Sequence, residues 1–233
     1  MRQPLDGVGG AWTDTAAWLL LGNRTQPSDP PALTPAQRAA VLTALFDAEQ
    51  GLGLRAVRLP MGTSDFRWSD FTYEDVPGRF SIGRDLPYIV PALQATLALQ
   101  PGLLVFALPW SAPAWLKTPA TLYGGTLRAD VDELYSQYFA DFVQAYAAQN
   151  IPIHAVSLQN EPGNANSGYP TMLMEPADQA RLAPLVASAL DRAGHGHVKL
   201  LVYDHNWDNV AYPLAVLRNA SAAPSIDGVA FHW

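Results

Sequence analysis

Ala155-Val156-Ser157-Leu158-Gln159-Asn160-Glu161-Pro162 is an apolar run that ends on an amide and a carboxylate, and a proline then closes the segment. A buried parallel strand reads this way, and in a (β/α) barrel its C-terminal end lies on the rim where the chemistry is done. A glutamic acid at such a rim can protonate the departing oxygen of a glycosidic bond, while the neighbouring amide holds the sugar 2-hydroxyl. Taken by itself the stretch reads equally well as an ordinary strand-to-loop turn.

Outward from this stretch, strand-like and helical patterns alternate. Residues 7–14 read as a first short strand and its rim. Thr34-Pro35-Ala36-Gln37 combines an N-cap, an N1 proline and a capping-box glutamine, opening a helix to about residue 50. Residues 54–61 form a second strand, 85–99 a helix and 103–110 an almost wholly apolar third strand. Asp130-Val131-Asp132-Glu133 is a further capping signal, followed by Leu134, Tyr138, Phe142 and Tyr146 at four-residue spacing, the stripe of a helix on a sheet. After the strand ending at Glu161, Pro176 starts a helix, 198–203 is a fifth strand, 208–218 a helix and 226–231 a sixth strand. Residues 66–84, rich in aromatics and charges, read as a rim loop, and residues 26–35 as a proline-rich surface loop.

Strands alternating with helices predict a parallel sheet with helices outside, within one α/β domain. A doubly wound sheet competes, but Gly7-Val8-Gly9-Gly10 lacks the third glycine of a dinucleotide loop. In a barrel, the polar groups at the strand ends meet around one pocket: Thr13-Asp14, Arg58 and Asp65, Trp110, Asn160-Glu161, Asp204-His205 and His232-Trp233. Val57, Val105 and Phe231 read as inner positions of that barrel.

Composition narrows the classes. Of 233 residues, 49% are hydrophobic and only 15% charged, which supplies a core and argues against a long disordered tract. The net charge of −7 offers no basic stripe for nucleic acid. Absence of cysteine excludes disulfides, thiolate catalysis and cysteine-ligated metal. No apolar run reaches the ~20 residues of a membrane span, and Met-Arg-Gln-Pro-Leu-Asp-Gly does not read as a signal peptide. Asn23-Arg24-Thr25 and Asn219-Ala220-Ser221 match the glycosylation acceptor pattern, which recurs by chance. His195-Gly196-His197 has no acidic partner nearby and reads as a surface loop; no metal is assigned.

Carboxylates and amides that share hydroxyls, with tryptophan faces for stacking, describe a carbohydrate site better than a phosphate site. Gly9-Gly10-Ala11-Trp12-Thr13-Asp14, Val57-Arg58-Leu59-Pro60-Met61-Gly62 with Asp65-Phe66, Pro109-Trp110-Ser111-Ala112-Pro113-Ala114-Trp115-Leu116-Lys117-Thr118, and Gln159-Asn160-Glu161-Pro162 with Ser167-Gly168-Tyr169-Pro170 resemble glycoside hydrolase family 30, in order, up to Ala230-Phe231-His232-Trp233. The glucosylceramidase branch is the nearest in pattern, and Thr72-Tyr73-Glu74-Asp75 in the rim loop adds to that likeness.

The resemblance implies a (β/α)8 TIM-barrel fold and a retaining β-glycosidase with no cofactor. Its substrate would be a β-glucoside, glycolipid or glycan, in an exported or lysosomal-type setting. It implies Glu161 as general acid/base, Asn160 on the 2-hydroxyl, Asp65 and Trp110 on the terminal glucose, Arg58 beneath the nucleophile, and Tyr169 and His232 lining the pocket. Structural alternatives stand beside these: an ion pair for Arg58, core packing for Trp110 and more so for Trp115, simple strand-end polar groups for Asp204 and His205. The family's nucleophile, a second glutamate at the end of strand seven, has no counterpart here. Glu175 precedes a helix start and reads as an N-terminal helix charge. Residues 1–233 are thus expected to form a partial barrel, strands one to six of eight, without the companion β-sandwich domain and inactive alone. A β-1,6-glucan or xylan endo-glycanase is the near alternative. A noncatalytic carbohydrate-binding barrel is the distant one, and the intact Asn160-Glu161 pair argues against it.

Overall fold

A computed structural model describes residues 4–22 and 29–232. Asn23-Arg24-Thr25, the first part of the 26–35 loop and Trp233 lie outside the described residues. In chain order the elements are β1 (Gly9–Ala11), α1 (Asp14–Leu21), α2 (Pro35–Phe46), β2 (Ala56–Pro60), α3 (Ile89–Leu99), β3 (Leu104–Leu108), β4 (Lys117–Thr118), β5 (Thr126–Leu127), α4 (Asp132–Ala147), β6 (Ala155–Ser157), α5 (Pro176–Arg192), β7 (Lys199–Asn206), α6 (Ala211–Leu217) and β8 (Gly228–His232). One six-stranded sheet runs β1-β2-β3-β6-β7-β8, and each neighbouring pair is parallel. β4 and β5 form a small antiparallel pair in the loop after β3. The fold is α/β, a curled sheet that makes up six strands of a (β/α)8-type barrel.

Neighbouring strands place Val57 opposite Val105 and Arg58 opposite Phe106. Val57, Leu59 and Val105 are buried towards the helices. This corrects the inner placement of Val57 and Val105. Their half-buried alternates, Ala56, Arg58 and Phe106, line an open interior cavity of about 510 Å³ with Asp204, Phe231 and His232.

Local chemistry explains most boundaries. The first strand is shorter than residues 7–14, because Thr13 caps a helix there: its Oγ1 accepts from Ala16 N at 3.1 Å, opening α1. A Cβ on Gly9 would lie 2.1 Å from Ala56 O, so only glycine lets β1 reach β2. The Thr34–Gln37 capping box opens α2, which stops at Phe46 rather than near residue 50. Two differences lie in α4. Its N-cap is Val131, with no side-chain cap; Asp130 pairs with Arg128 and Asp132 with Arg181 instead. Tyr138, Phe142 and Tyr146 are buried, but Leu134 is 52% exposed and Tyr135 takes its place. At 3.6 residues per turn, position 134 lies about 120° round the helix from 146, and 135 only about 20°.

α3 begins at Ile89, later than residue 85. Asp85 is buried, and its Oδ2 accepts from Tyr73 OH at 2.6 Å and Tyr146 OH at 2.5 Å. Glu175 caps α5 in a reciprocal box with Asp178. β7 runs on to Asn206, past residue 203, with a register shift between Tyr203 and His205.

Candidate active site

β6 ends at Ser157, short of Glu161, and the segment that follows it is stitched by its backbone to β7 and to the end of β3. Glu161 N donates to Asp204 O at 2.8 Å, and Asn160 N to Pro109 O at 2.8 Å. Three non-glycine residues here take positive φ: Glu161 at 47°, Tyr203 at 73° and Asp204 at 59°. Such strain persists where surrounding contacts over-determine it, and it clusters at functional sites. Gln159, fully buried, props the rim from below by donating to Trp110 O at 2.7 Å.

Six side chains converge above this scaffold. Arg58 Nη2 donates to Asn160 Oδ1 at 2.5 Å and to Asp204 Oδ1 at 3.1 Å, and lies 3.1 Å from His232 Nε2. Its guanidinium sits over the Trp110 ring, 4.7 Å from the centroid. His232 faces a carboxylate on both sides: Nε2 meets Asp204 Oδ1, and Nδ1 lies 3.3 Å from Glu161 Oε1. An imidazole with two acceptors is a double donor, hence a cation. Burial favours its neutral form, but the hydrogen bonds to Asp204 and Glu161 outweigh it and push His232 up to about 9.

Glu161 is held below the ordinary carboxylate range. The His232 hydrogen bond is the main cause, burial opposes it, and Asn164 adds to it, donating from Nδ2 to Oε2 at 2.7 Å. Asp204 is lowered too: its burial pulls the other way, but the His232 hydrogen bond and the Arg58 charge prevail. The resting cluster is therefore an arginine and an imidazolium between two carboxylates.

Of the sequence-designated residues, Arg58, Trp110, Asn160, Glu161 and His232 meet in this cluster. Tyr169 joins through Asn164, whose Nδ2 also donates to its hydroxyl at 3.0 Å. Asp65 stands exposed on the loop after β2, apart from the hydrogen-bonded group. Trp110 is buried, with the Arg58 guanidinium over its ring. Trp115 is half-buried and donates its indole N–H to Glu74 O at 2.7 Å. His195 Nε2 lies 3.0 Å from Gln144 Oε1. The sequence does not single out Asn164, and it places Asp204 at the rim with a plain strand-end reading beside it. Asp204 ends an apolar run as Glu161 does, and that signal marks it out; Asn164 has no such mark. Among the described residues, no group of three or more His, Asp and Glu side chains is placed to hold a metal ion.

Residues 5–233 match the Glycosyl hydrolase family 30 TIM-barrel domain. The chain belongs to this family. Over 99% of its length it is 31% identical to an endo-1,6-beta-D-glucanase of Neurospora crassa, covering 48% of that protein. It is 30% identical, over 99% of its length, to the lysosomal acid glucosylceramidase of Mus musculus, covering 46% of it. A solved endo-beta1,6-glucanase superposes with a TM-score of 0.87 at 33% identity, over 99% of this chain and 52% of the other. This family 30 chain thus spans about half the length of the curated relatives it matches. Among its described residues, no helix is long and apolar enough to cross a membrane.

Proposed function

We propose that the chain carries the acid/base half of a retaining β-glycosidase acting on β-linked glucosides. The observation that carries this reading is the convergence of Arg58, Asn160, His232 and Asn164 on or beside Glu161 at the strand ends. Glu161 protonates the departing glycosidic oxygen and later takes a proton from the attacking water. Asn160 has its carbonyl oxygen fixed by Arg58, which leaves its N–H groups to donate to the sugar 2-hydroxyl. Trp110 and Asp65 hold the terminal glucose, and Tyr169 closes the pocket from the loop after β6.

Double displacement needs a second carboxylate about 5 Å from the acid. The carboxylate across His232 is Asp204, and its ion pairs with Arg58 and His232 occupy it. We therefore place the nucleophile on sequence beyond residue 233. Its negative charge would raise Glu161 to where it can donate a proton.

For the substrate we put β-1,6-linked glucan first, in line with the named glucanases at 31% and 33% identity. The Thr72-Tyr73-Glu74-Asp75 stretch, which tilted the sequence towards glucosylceramidases, is occupied internally. Thr72 Oγ1 donates to Asp75, Glu74 Oε1 accepts from Gly78 N, and Tyr73 is buried against Asp85. Glucosylceramide remains the second reading, on the 30% identity to the mouse enzyme. The test compares two proteins, residues 1–233 and the same chain continued by its downstream strands, on a linear β-1,6-glucan and on glucosylceramide micelles. Turnover is expected only in the longer protein, with loss on Glu161→Gln. Hydrolysis by residues 1–233 would refute the missing nucleophile, and glycan binding without hydrolysis in the longer protein would refute the enzyme.

A further inference from the structure

Asp204 has no part in the bond-breaking steps, yet the fold goes to some length to aim it. Two residues of β7, Asp204 and His205, stand against the single step from Ala230 to Phe231 in β8, and Asp204 is the unpaired one. A bulge of this kind re-aims a side chain. Here it turns a carboxylate into the barrel, where its side chain is only 4% exposed. Tyr203 and Asp204 take successive left-handed conformations to achieve it, with φ of 73° and 59°. Both ends of the residue then act on Glu161. The carbonyl oxygen accepts the Glu161 N–H at 2.8 Å, and the carboxylate grips His232, whose opposite nitrogen faces Glu161 Oε1.

We propose that Asp204 is a positioning residue, which holds His232 against Glu161 and so fixes the geometry and charge around the acid. This rests on the reading of Glu161 as the acid/base. The groups that face His232 include Asp204 from β7, Glu161 from the loop after β6, Arg58 from β2 and the His205 ring at 6.5 Å. Arg58 disfavours the cation, and the two carboxylates favour it. Without Asp204, Nε2 loses its carboxylate and faces the Arg58 guanidinium at 3.1 Å, which loosens the hold on the ring beside Glu161.

A double-mutant cycle on the His232 imidazole titration, followed by NMR, separates positioning from mere proximity of charge. Asp204→Asn keeps the shape and removes the charge, and it should lower the His232 pKa by about one unit or more, a tenfold loss of proton affinity. Glu161→Gln should lower it as well. In the Asp204→Asn background, however, Glu161→Gln should have little further effect, because the ring no longer rests on Glu161. Equal effects of Glu161→Gln in both backgrounds would overturn the proposal, leaving Asp204 as one more nearby charge. Should Asp204→Asn fail to fold, Asp204→Glu keeps the charge and moves it one methylene. The same loss of sensitivity to Glu161→Gln is expected, and unchanged sensitivity refutes it. Hydrolysis plays no part in this cycle, so failure of the acid/base reading would show in the turnover assay and leave these titrations intact.

Discussion

Lys117 is 2% exposed, and among the described residues no carboxylate pairs with it. Its Nζ donates to Ser111 Oγ at 2.7 Å, Leu122 O at 3.1 Å and Thr171 O at 2.8 Å, tying the loop after β3 to the loop after β6. Burial pulls its pKa from 10.5 to about 7. Between these values the unfolded chain binds a proton that the folded one lacks, so stability rises with pH at up to about 1.4 kcal/mol per unit. From pH 7 to pH 9 the gain is about 2 kcal/mol, and it levels off above 10.5. His232, raised to about 9, works in the opposite sense: its contribution is complete below 6.5 and lost as pH passes 9. A Lys117→Met variant keeps His232, so that term cancels in the difference. Urea unfolding of both proteins at stepped pH should show wild type gaining on the variant by about 2 kcal/mol from pH 7 to 9. Parallel curves would mean that Lys117 stays charged in the fold, which would refute the reasoning from burial.

Asp85, raised by burial to about 6 although Tyr146 and Tyr73 donate to it, destabilises the fold as pH rises from 3.8 through 6. Asp85→Asn should remove a loss of up to about 3 kcal/mol across that window, and an unchanged pH slope in denaturant melts would count against a buried charge. Gly9→Ala should cost more than about 2 kcal/mol, because its Cβ would meet Ala56 O at 2.1 Å and part β1 from β2. A thermal midpoint matching wild type would rule that contact out. In the protein continued beyond residue 233, Glu161→Ala should slow glucosides with poor leaving groups by about 10²–10⁴ and activated aryl glucosides far less. Equal losses on both would remove Glu161 from the acid role.

The sequence by itself determined the alternation of strands and helices, the parallel barrel and the family. Those signals are local: an apolar run, a Thr34–Gln37 box, a proline directly after Glu161. It also marked the rim, because groups at the ends of successive parallel strands must gather there whatever the loops do. Tertiary structure decided the rest. Arg58 meets Asp204 across 146 residues of chain, and no local pattern specifies that contact. A four-residue stripe put Leu134 on the core face of α4, and packing against the sheet chose Tyr135 instead. Asp204 passed as a plain strand-end carboxylate, because a one-residue bulge is invisible until β8 supplies the register that defines it. The charge state of Glu161 was set last, by His232, 71 residues away, and by burial, which belongs to no single segment.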